Sequence, residues 1–162
     1  MTPTLHKGYL PSSIGSIVTL HARYYSHLAG FGLPFESKVA RELTLFCEQY
    51  DEARDGLWLA VHDGQIVGSV AIDGSHAGED GAHLRWFIVA DAMRGQRIGT
   101  ALLAAAMEFC RSRNHGQVYL WTFEGLDAAR HLYEKTGFRL VFQQQGAQWG
   151  VTVNEQRFEL RI

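Results

Sequence analysis

A strand, a glycine-containing turn and a long amphipathic helix follow one another in the middle of the chain, and this unit limits the folds open to it. Residues 84–89 form an almost wholly apolar run, which is typical of a strand buried on both faces. The turn at residues 94–100 leads into a helix whose buried stripe includes Ile98 and Leu102. A second strand follows at residues 118–123. A strand–helix–strand crossover of this kind predicts a mixed α/β sheet.

Two helices and a hairpin are predicted ahead of this unit. The first helix is predicted to begin at Ser12 and Ser13, because serine often caps helix N-termini. The second helix has apolar side chains at helical spacing over residues 39–50. Asp63 and Gly64 then separate two apolar runs that are rich in strand-forming residues. Asp-Gly is a strong signal for a two-residue hairpin turn because both turn positions require positive φ.

A further helix and a final pair of strands are predicted after the unit. The helix places Leu132 and Tyr133 on its apolar face and ends at Gly137, and residues 138–162 form the two strands. The sequence has no internal repeat, low-complexity tract or linker. Residues 1–162 are therefore predicted to form a single domain, which is an ordinary domain size.

Composition narrows the functional classes. A net charge of −2 without any Lys/Arg cluster predicts no nucleic-acid partner. The apolar runs are too short to cross a bilayer and the first residues lack a signal-peptide pattern, so we expect a cytoplasmic protein with no membrane partner.

Cys47 and Cys110 lie in helical apolar patterns and are interpreted as small buried hydrophobes. Neither HExxH nor a paired Cys/His cluster is present, so no metal is expected.

The turn at residues 94–100 carries the first chemical signal. A helix N-terminus leaves backbone N–H groups without intrahelical partners, and the helix dipole adds partial positive charge. These groups suit a phosphate or pyrophosphate, and the glycines of the turn let the anion approach the backbone. GxxxxGK[ST] is absent and no GxGxxG follows a first strand, which excludes two common nucleotide motifs. The alternative to an anion site is that the glycines of this turn serve only to make the bend between strand and helix.

The helix after the second strand of the unit meets a family pattern. Its sequence resembles A-x-x-L-Y-x-x-x-G-F, a signature of the GNAT acetyltransferases, and the turn resembles that family's [QR]-x-x-G-x-[GA] pyrophosphate loop. The two motifs occur in the family's order, and the resemblance covers nearly the whole chain. The matching residues are Ala129, Leu132, Tyr133, Gly137 and Phe138 in the signature, and Arg94 and Gly99 in the loop.

Three short segments carry a narrower resemblance. Residues 84–89, 119–125 and 148–150 look like acetyltransferase domains that some bacteria fuse to a MarR-type winged-helix regulator. This similarity implies a bacterial source. The sequence contains no regulator half, so a DNA-linked role is not expected.

The family resemblance implies a fold, a cosubstrate and a set of site residues. The expected fold is a GNAT α/β (α+β) fold, in which a central mixed, mainly antiparallel sheet with splayed strands is flanked by helices and holds acetyl-CoA. Tyr133 matches the tyrosine that protonates the departing CoA thiolate, a general-acid role. The two strands of the unit, residues 84–89 and 118–123, are expected to splay and form a cleft. An amide of the first of these strands would stabilise the oxyanion of the tetrahedral intermediate. The cofactor-binding candidates are Phe87, Ile88 and Val89 on that strand, and Arg94, Gly95, Gln96, Arg97, Ile98, Gly99 and Thr100 in the turn.

Two positions depart from the family pattern. Arg97 stands where the loop has its first glycine, which removes backbone freedom but offers a side chain to a CoA phosphate. Leu126 stands where an Asn is usual, seven residues before the tyrosine, so one polar contact to the cofactor is lost. The candidates also have simpler alternatives. In the simpler interpretation, Tyr133 and Gly99 are present for packing and not for catalysis or cofactor binding. The two arginines of the turn are then solvated surface charges.

The sequence leaves the general base open. Removing a proton from an ammonium needs a carboxylate, an imidazole or an ordered water within hydrogen-bond reach. Glu124, at the end of the second cleft strand, is the first candidate, and His83, at the start of the other cleft strand, is the second. His21, Tyr25 and Glu36 would line the acceptor side if the first two helices cover the cleft.

These features together predict an N-acetyltransferase that moves acetyl from acetyl-CoA to a primary amine by direct attack in a ternary complex. The acceptor is a small-molecule or peptide amine whose identity the sequence leaves open. The alternatives are a non-catalytic acetyl-CoA-binding sensor and an interaction domain associated with a regulator. A homodimer is a further expectation, because dimers are common among relatives and among soluble proteins.

Overall fold

The computed structural model describes residues 2–162, which form a seven-stranded sheet with helices on both faces. A 3₁₀ turn, Asp91–Met93, precedes the third helix. The elements in chain order are β1 (Thr4–Lys7), α1 (Ser13–Ala29), α2 (Leu33–Glu48), β2 (Gly56–His62), β3 (Gln65–Asp73), β4 (Ala82–Val89), α3 (Ile98–Ser112), β5 (Gln117–Phe123), α4 (Asp127–Thr136), β6 (Arg139–Gly146) and β7 (Val153–Arg161).

The order of elements matches the prediction from the sequence, with one strand added near the N-terminus. β1 has four residues, lies at the edge of the sheet beside β2 and is mostly exposed, so no alternation of apolar and polar side chains marks it. Ser12 occupies the N-cap of α1, but its side chain makes no capping hydrogen bond.

The sheet is mixed and mainly antiparallel, as expected. Its strand order is β1-β2-β3-β4-β5-β7-β6, so β7 lies between β5 and β6. β4 and β5 run parallel, and the other neighbouring strands run antiparallel. The β2–β3 hairpin turns at Asp63 and Gly64 with φ values of 49° and 73°, which the Asp-Gly signal predicts.

The β4–β5 pair opens into a cleft. Within the described residues, backbone pairing joins Ala82 to Val118 and His83 to Tyr119 and then stops. β5 is paired along its whole length with β7, and β4 continues beside β3, so the two strands follow different partners. The edge of β4 that faces β5 therefore has no strand partner beyond His83, and the expected splay of these strands is confirmed.

A β-bulge shapes the part of β4 that borders the cleft. Between the paired residues Arg85 and Ile88, Trp86 and Phe87 oppose a single residue of β3. Trp86 adopts a left-handed φ of 48°, and the Ser69 hydroxyl donates a hydrogen bond to its carbonyl at 2.6 Å. Leu84 and Phe87 pack in the core layer beneath α3, and Trp86 packs in the layer beneath α1 and α2, so β4 is covered on both faces as its apolar run predicts.

The core lies in two layers, one on each face of the sheet. The layer around Leu102 and Phe158 lies beneath α3 and α4, and the layer around Leu43 and Trp86 lies beneath α1 and α2. Cys110 is buried in the first layer, where burial raises the pKa of its thiol to about 12, and both cysteines are free. No helix in the described part of the chain is long and apolar enough to cross a membrane.

Replacing Leu102 with alanine should lower the free energy of unfolding by about 2–5 kcal/mol, because the side chain is fully buried and its removal leaves a cavity. The matched control is Leu45→Ala on α2, which removes the same atoms from a side chain that is 52% exposed. The control should change that free energy by less than about 0.5 kcal/mol. Urea unfolding followed by circular dichroism measures both variants. Equal losses would contradict the packing of α3 on the sheet.

Candidate functional site

The splay between β4 and β5 opens into a cavity of about 330 Å³. Residues of β4 and β5 form its floor, α1 and α2 cover it, and α4 and the β6–β7 loop contribute to its walls. Aromatic side chains make up much of its lining, as is usual in sites that bind small molecules. These aromatic residues are Tyr25, Phe31, Phe35, Trp86, Phe87, Trp121, Phe123, Tyr133 and Trp149.

Aromatic packing joins the cover of the cavity to its floor. Phe31, from the connection between α1 and α2, stacks on Trp149 with ring centroids 6.2 Å apart, and the Trp149 ring lies 5.8 Å from that of Phe123 on β5. Gly150 lets the β6–β7 loop approach α2 so closely that a Cβ atom there would lie 2.7 Å from the Cβ of Pro34. The loop is therefore held against the helices that cover the cavity.

Tyr133 reaches the cavity from α4. Its side chain is 6% exposed, and its ring centroid lies 5.8 Å from that of Phe87. Burial raises the pKa of Tyr133, and the neighbouring Tyr25 raises it further, so the phenol is protonated at physiological pH. A neutral phenol that borders the cleft can donate a proton, while its aromatic contacts also give it a packing role.

The turn before α3 has a backbone suited to an anion. Gly95 and Arg97 adopt left-handed φ values of 81° and 61°, and Arg97 is the N-cap residue of α3. Its side chain makes no capping hydrogen bond, so the amides of the first turn are left for water or a ligand. Gln96 and Thr100 are exposed, whereas the Ile98 side chain is buried in the core. Backbone amides, rather than the Ile98 side chain, are thus available at this position.

Arg94 and Gly99 make specific contacts around this turn. The Arg94 guanidinium lies 2.8 Å from the Asp91 carboxylate and 4.9 Å from the ring centroid of Tyr24 on α1. A Cβ atom at Gly99 would lie 3.2 Å from the Phe87 ring, so glycine lets α3 pack closely on β4. These contacts support the packing alternative for Gly99. They also hold Arg94 against α1 instead of leaving it freely solvated.

The remaining candidates are divided between the cavity and the surface. Phe87 lines the cavity, whereas Ile88 is buried, Val89 packs in the α3 layer, and neither is among the residues that line the cavity. Glu124 is exposed and is not among the residues that line the cavity. Glu36 is likewise exposed and outside it. The structure therefore brings neither carboxylate to the cavity.

Two histidines line the cavity. His83 stacks on Tyr119 with ring centroids 4.4 Å apart, and burial, followed by the charge of Arg85, holds the pKa of His83 well below its usual range. His21 is 5% exposed, and burial lowers its pKa to about 4 although its hydrogen bond to Ile17 acts in the opposite direction. Both rings are neutral at physiological pH. Within residues 2–162, no group of three or more His, Cys, Asp or Glu could hold a metal ion.

A cluster of charges at the partly exposed end of the cavity was not predicted from the sequence. Glu42 accepts hydrogen bonds from both Lys38 and Arg85. Burial acts to raise the pKa of Glu42, but the two cations together lower it, so the carboxylate is ionised. Lys38 and Glu42 are four residues apart on α2, a spacing from which an ion pair on one helix face can be predicted. Their contact with Arg85 on β4 depends on how α2 packs on the sheet.

A family model described as "Acetyltransferase (GNAT) family" matches residues 17–138. Among curated proteins, "Probable N-acetyltransferase camello" of Xenopus tropicalis is 38% identical over 82 residues, which are 51% of this chain and 37% of that protein. "N-acetylaspartate synthetase" of Danio rerio is 39% identical over 84 residues, which are 52% of this chain and 29% of that protein. The chain therefore spans less than half the length of these relatives.

Solved structures show the same architecture at low sequence identity. A Salmonella typhimurium acetyltransferase solved with its cofactor acetyl-CoA has a TM-score of 0.78 and 14% identity, over 99% of this chain and 94% of that chain. Ribosomal-protein-alanine N-acetyltransferase from Brucella melitensis has a TM-score of 0.75 and 16% identity, over 98% of this chain and 99% of that chain. The fold expected from the sequence is thereby confirmed.

Arg97→Gly should raise the free energy of unfolding. A left-handed φ of 61° strains this residue, by about 1–2 kcal/mol for an L-amino acid. The greater freedom of glycine in the unfolded chain cancels only about 0.5–1 kcal/mol of that gain. The control Glu108→Gly changes an exposed residue inside α3, where glycine should lower stability by about 1 kcal/mol. Urea unfolding at pH 7 measures both, and a destabilised Arg97→Gly would mean that side-chain contacts dominate this turn.

Proposed function

The chain belongs to the acetyltransferase (GNAT) family, and from that membership we propose that it transfers the acetyl group of acetyl-CoA to a primary amine. The observation that carries this proposal is the cavity at the β4–β5 splay, because an unpaired strand edge and a buried, protonated phenol border the same space. Free backbone groups can pair with an extended ligand, and a neutral phenol can protonate a leaving group.

The proposed binding mode places acetyl-CoA along β4 and over the start of α3. The pantetheine arm pairs with backbone groups of Phe87, Ile88 and Val89, which have no partner on β5. The pyrophosphate lies on the amides of residues 95–100, where the left-handed backbone at Gly95 turns the chain towards α3. An unpaired strand edge and an uncapped helix end are the features that fit this elongated, anionic molecule.

The proposed reaction is a direct attack of the amine nitrogen on the thioester carbonyl carbon in a ternary complex. A backbone amide of the β-bulge, at Trp86 or Phe87, donates to the carbonyl oxygen as it becomes an oxyanion. Tyr133 gives its proton to the CoA thiolate as the C–S bond breaks. Glu124 stays a predicted base from its place in the sequence, and its exposure outside the cavity counts against it.

The acceptor is proposed to be a small-molecule or peptide amine that enters the cavity beside Lys38, Glu42 and Arg85. Because Glu42 already pairs with both cations, an acceptor carboxylate would have to displace it. A primary amine with an apolar body, such as 2-phenylethylamine, suits the aromatic lining without that cost. L-aspartate is the contrasting probe, since relatives of this chain are named N-acetylaspartate synthetase.

A non-catalytic acetyl-CoA sensor is the second candidate. Arg97 and Leu126 favour it, because Arg97 removes backbone freedom from the loop and Leu126 removes one polar contact to the cofactor of the family pattern. A regulator-associated interaction domain, suggested by the resemblance to domains fused to MarR-type regulators, is the third. Several expectations from the sequence stay predictions. They are the bacterial source, the cytoplasmic location, the single domain over residues 1–162, the homodimer, and the absence of metal and nucleic-acid partners.

Isothermal titration with acetyl-CoA tests the cosubstrate. We expect saturable binding at about one molecule per chain. We also expect weaker binding of dephospho-CoA, because Arg97 is an exposed cation at the N-terminus of α3. Arg97→Gln should reduce the difference between the two cofactors, whereas Arg139→Gln, an exposed site on β6, should preserve it. No binding at millimolar acetyl-CoA would rule out the acetyltransferase proposal.

Tyr133→Phe should lower kcat by about 10²–10⁴-fold, the usual contribution of a general acid, while acetyl-CoA affinity stays unchanged. Turnover is measured as CoA thiol release with 2-phenylethylamine and L-aspartate as acceptors. The control Tyr9→Phe removes the same atom from an exposed residue and should retain the wild-type kcat. Slow thiol release that Tyr133→Phe leaves unaltered, with tight CoA binding, would favour the sensor.

A further inference from the structure

His21 presents an unprotonated nitrogen to the cavity. Its side chain lies on the buried face of α1, and its Nδ1 is 2.8 Å from the Ile17 carbonyl oxygen. Because a carbonyl oxygen only accepts hydrogen bonds, Nδ1 carries the ring proton and Nε2 carries a lone pair. The helix backbone thus sets the tautomer of this ring before any ligand binds.

The Nε2 atom of His21 is open to the cavity. Among the described residues, every fully buried side-chain nitrogen or oxygen has a hydrogen-bond partner. The ring's hydrogen bond to protein is the one made by Nδ1, and His21 is among the residues that line the cavity. Its Nε2 is therefore not fully buried, and the space that the ring borders is this cavity. A lone pair in such a place requires an N–H or O–H donor, and an attacking amine supplies one.

The other titratable groups near the cavity are less suited to receive a proton. Glu124 is exposed and outside the lining, and Glu42 is held between two cations. His83 faces three positively charged side chains, which add to the effect of burial in opposing its protonation. For His21 burial is the only opposing cause, and the hydrogen bond to the Ile17 carbonyl favours the protonated ring.

On the basis of the proposed acetyl transfer, we propose that His21 is the catalytic base that receives the proton of the acceptor amine. The amine nitrogen bonds to the thioester carbonyl carbon, and one N–H proton passes to Nε2. The C–S bond then breaks, and the thiolate takes the proton of Tyr133. Proton transfer from the imidazolium to the Tyr133 phenolate restores both groups, so the net products are an amide and the CoA thiol.

Tyr25 lines the same cavity as the two proposed proton-transfer groups. Its ring stacks on His21 with centroids 6.2 Å apart. Its own pKa is raised by burial, so it is a neutral hydroxyl that both donates and accepts hydrogen bonds. As part of this proposal, the Tyr25 hydroxyl relays the proton that closes the cycle.

A weak base is sufficient for this role because of when the proton moves. Burial lowers the pKa of His21 to about 4, so the ring is neutral before the reaction and would not deprotonate a free alkylammonium. The nitrogen is more acidic once it is bonded to the carbonyl carbon than in the free ammonium ion, so the proposed transfer to Nε2 follows formation of that bond. The amine must accordingly attack in its neutral form.

Three variants test the role of His21. His21→Gln retains a hydrogen-bonding group of similar reach but cannot take up a proton at neutral pH, and His21→Ala leaves room for a small base. His27→Gln is the matched control, because His27 is exposed on the same helix. With acetyl-CoA and 2-phenylethylamine or L-aspartate, whichever the wild type accepts, kcat should fall by about 10²–10⁴-fold in both His21 variants. His27→Gln should match the wild type, and all three should bind acetyl-CoA normally.

Added imidazole distinguishes a base from a structural side chain. It should restore kcat of His21→Ala in proportion to its concentration, and it should have no effect on His21→Gln, in which the space is filled. A folded His21→Ala that imidazole does not rescue would overturn the inference. So would a His21→Gln variant with the wild-type kcat, or one in which only KM changes.

A measurement on the wild-type protein covers the case in which the variants fail to fold. The ¹⁵N resonance of Nε2 should shift when 2-phenylethylamine or L-aspartate binds in the presence of CoA, because the lone pair becomes a hydrogen-bond acceptor. An unchanged resonance at saturating amine would overturn the inference. A wild-type protein that neither binds acetyl-CoA nor releases thiol would instead overturn the proposed function, so the two failures are distinguishable.

Discussion

The early end of backbone pairing between β4 and β5 is the constraint on which the rest of the site depends. Each strand continues beside its other neighbour, β3 or β7, after the pairs at Ala82 and His83. A continuous sheet would occupy the edge of β4 with hydrogen bonds and leave no space for a ligand. Because the pairing stops, the strands that stabilise the sheet also provide a free backbone edge and the floor of the cavity.

Burial in this cavity controls the protonation of the groups inside it. Removal from water disfavours a charged side chain, so the same environment raises the pKa of Tyr133 and lowers the pKa of His21. One group is thereby kept as a proton donor and the other as a proton acceptor, both of them neutral. The charged residues stay at the partly exposed end, where Glu42 pairs with two cations. The stacked rings of Phe31 and Trp149 maintain this separation by covering the cavity.

Features with local causes were predictable from the sequence. The turn at Asp63 and Gly64 follows from the φ values that those residues tolerate, and α3 follows from the period of its apolar side chains. β1 was not predicted because a short, exposed edge strand leaves no pattern. The bulge at Trp86 was not predicted because it depends on the register of β4 with β3. Arg97 retains the left-handed backbone that glycine would adopt with less strain, so the shape of the turn is preserved despite the substitution.

The order and spacing of motifs were enough to identify the family and to place Tyr133 on a helix beside a splayed pair of strands, since those signals lie within one strand–helix–strand–helix segment. They did not separate Glu124 from His21, because a place at the end of a strand does not specify which side chains the helices from elsewhere in the chain bring to the cleft. His21 reaches the cavity only because α1 packs across β4 through the second core layer. The acid candidate is thus encoded in a local pattern, while the arrangement of proton acceptors arises from contacts between segments far apart in the chain.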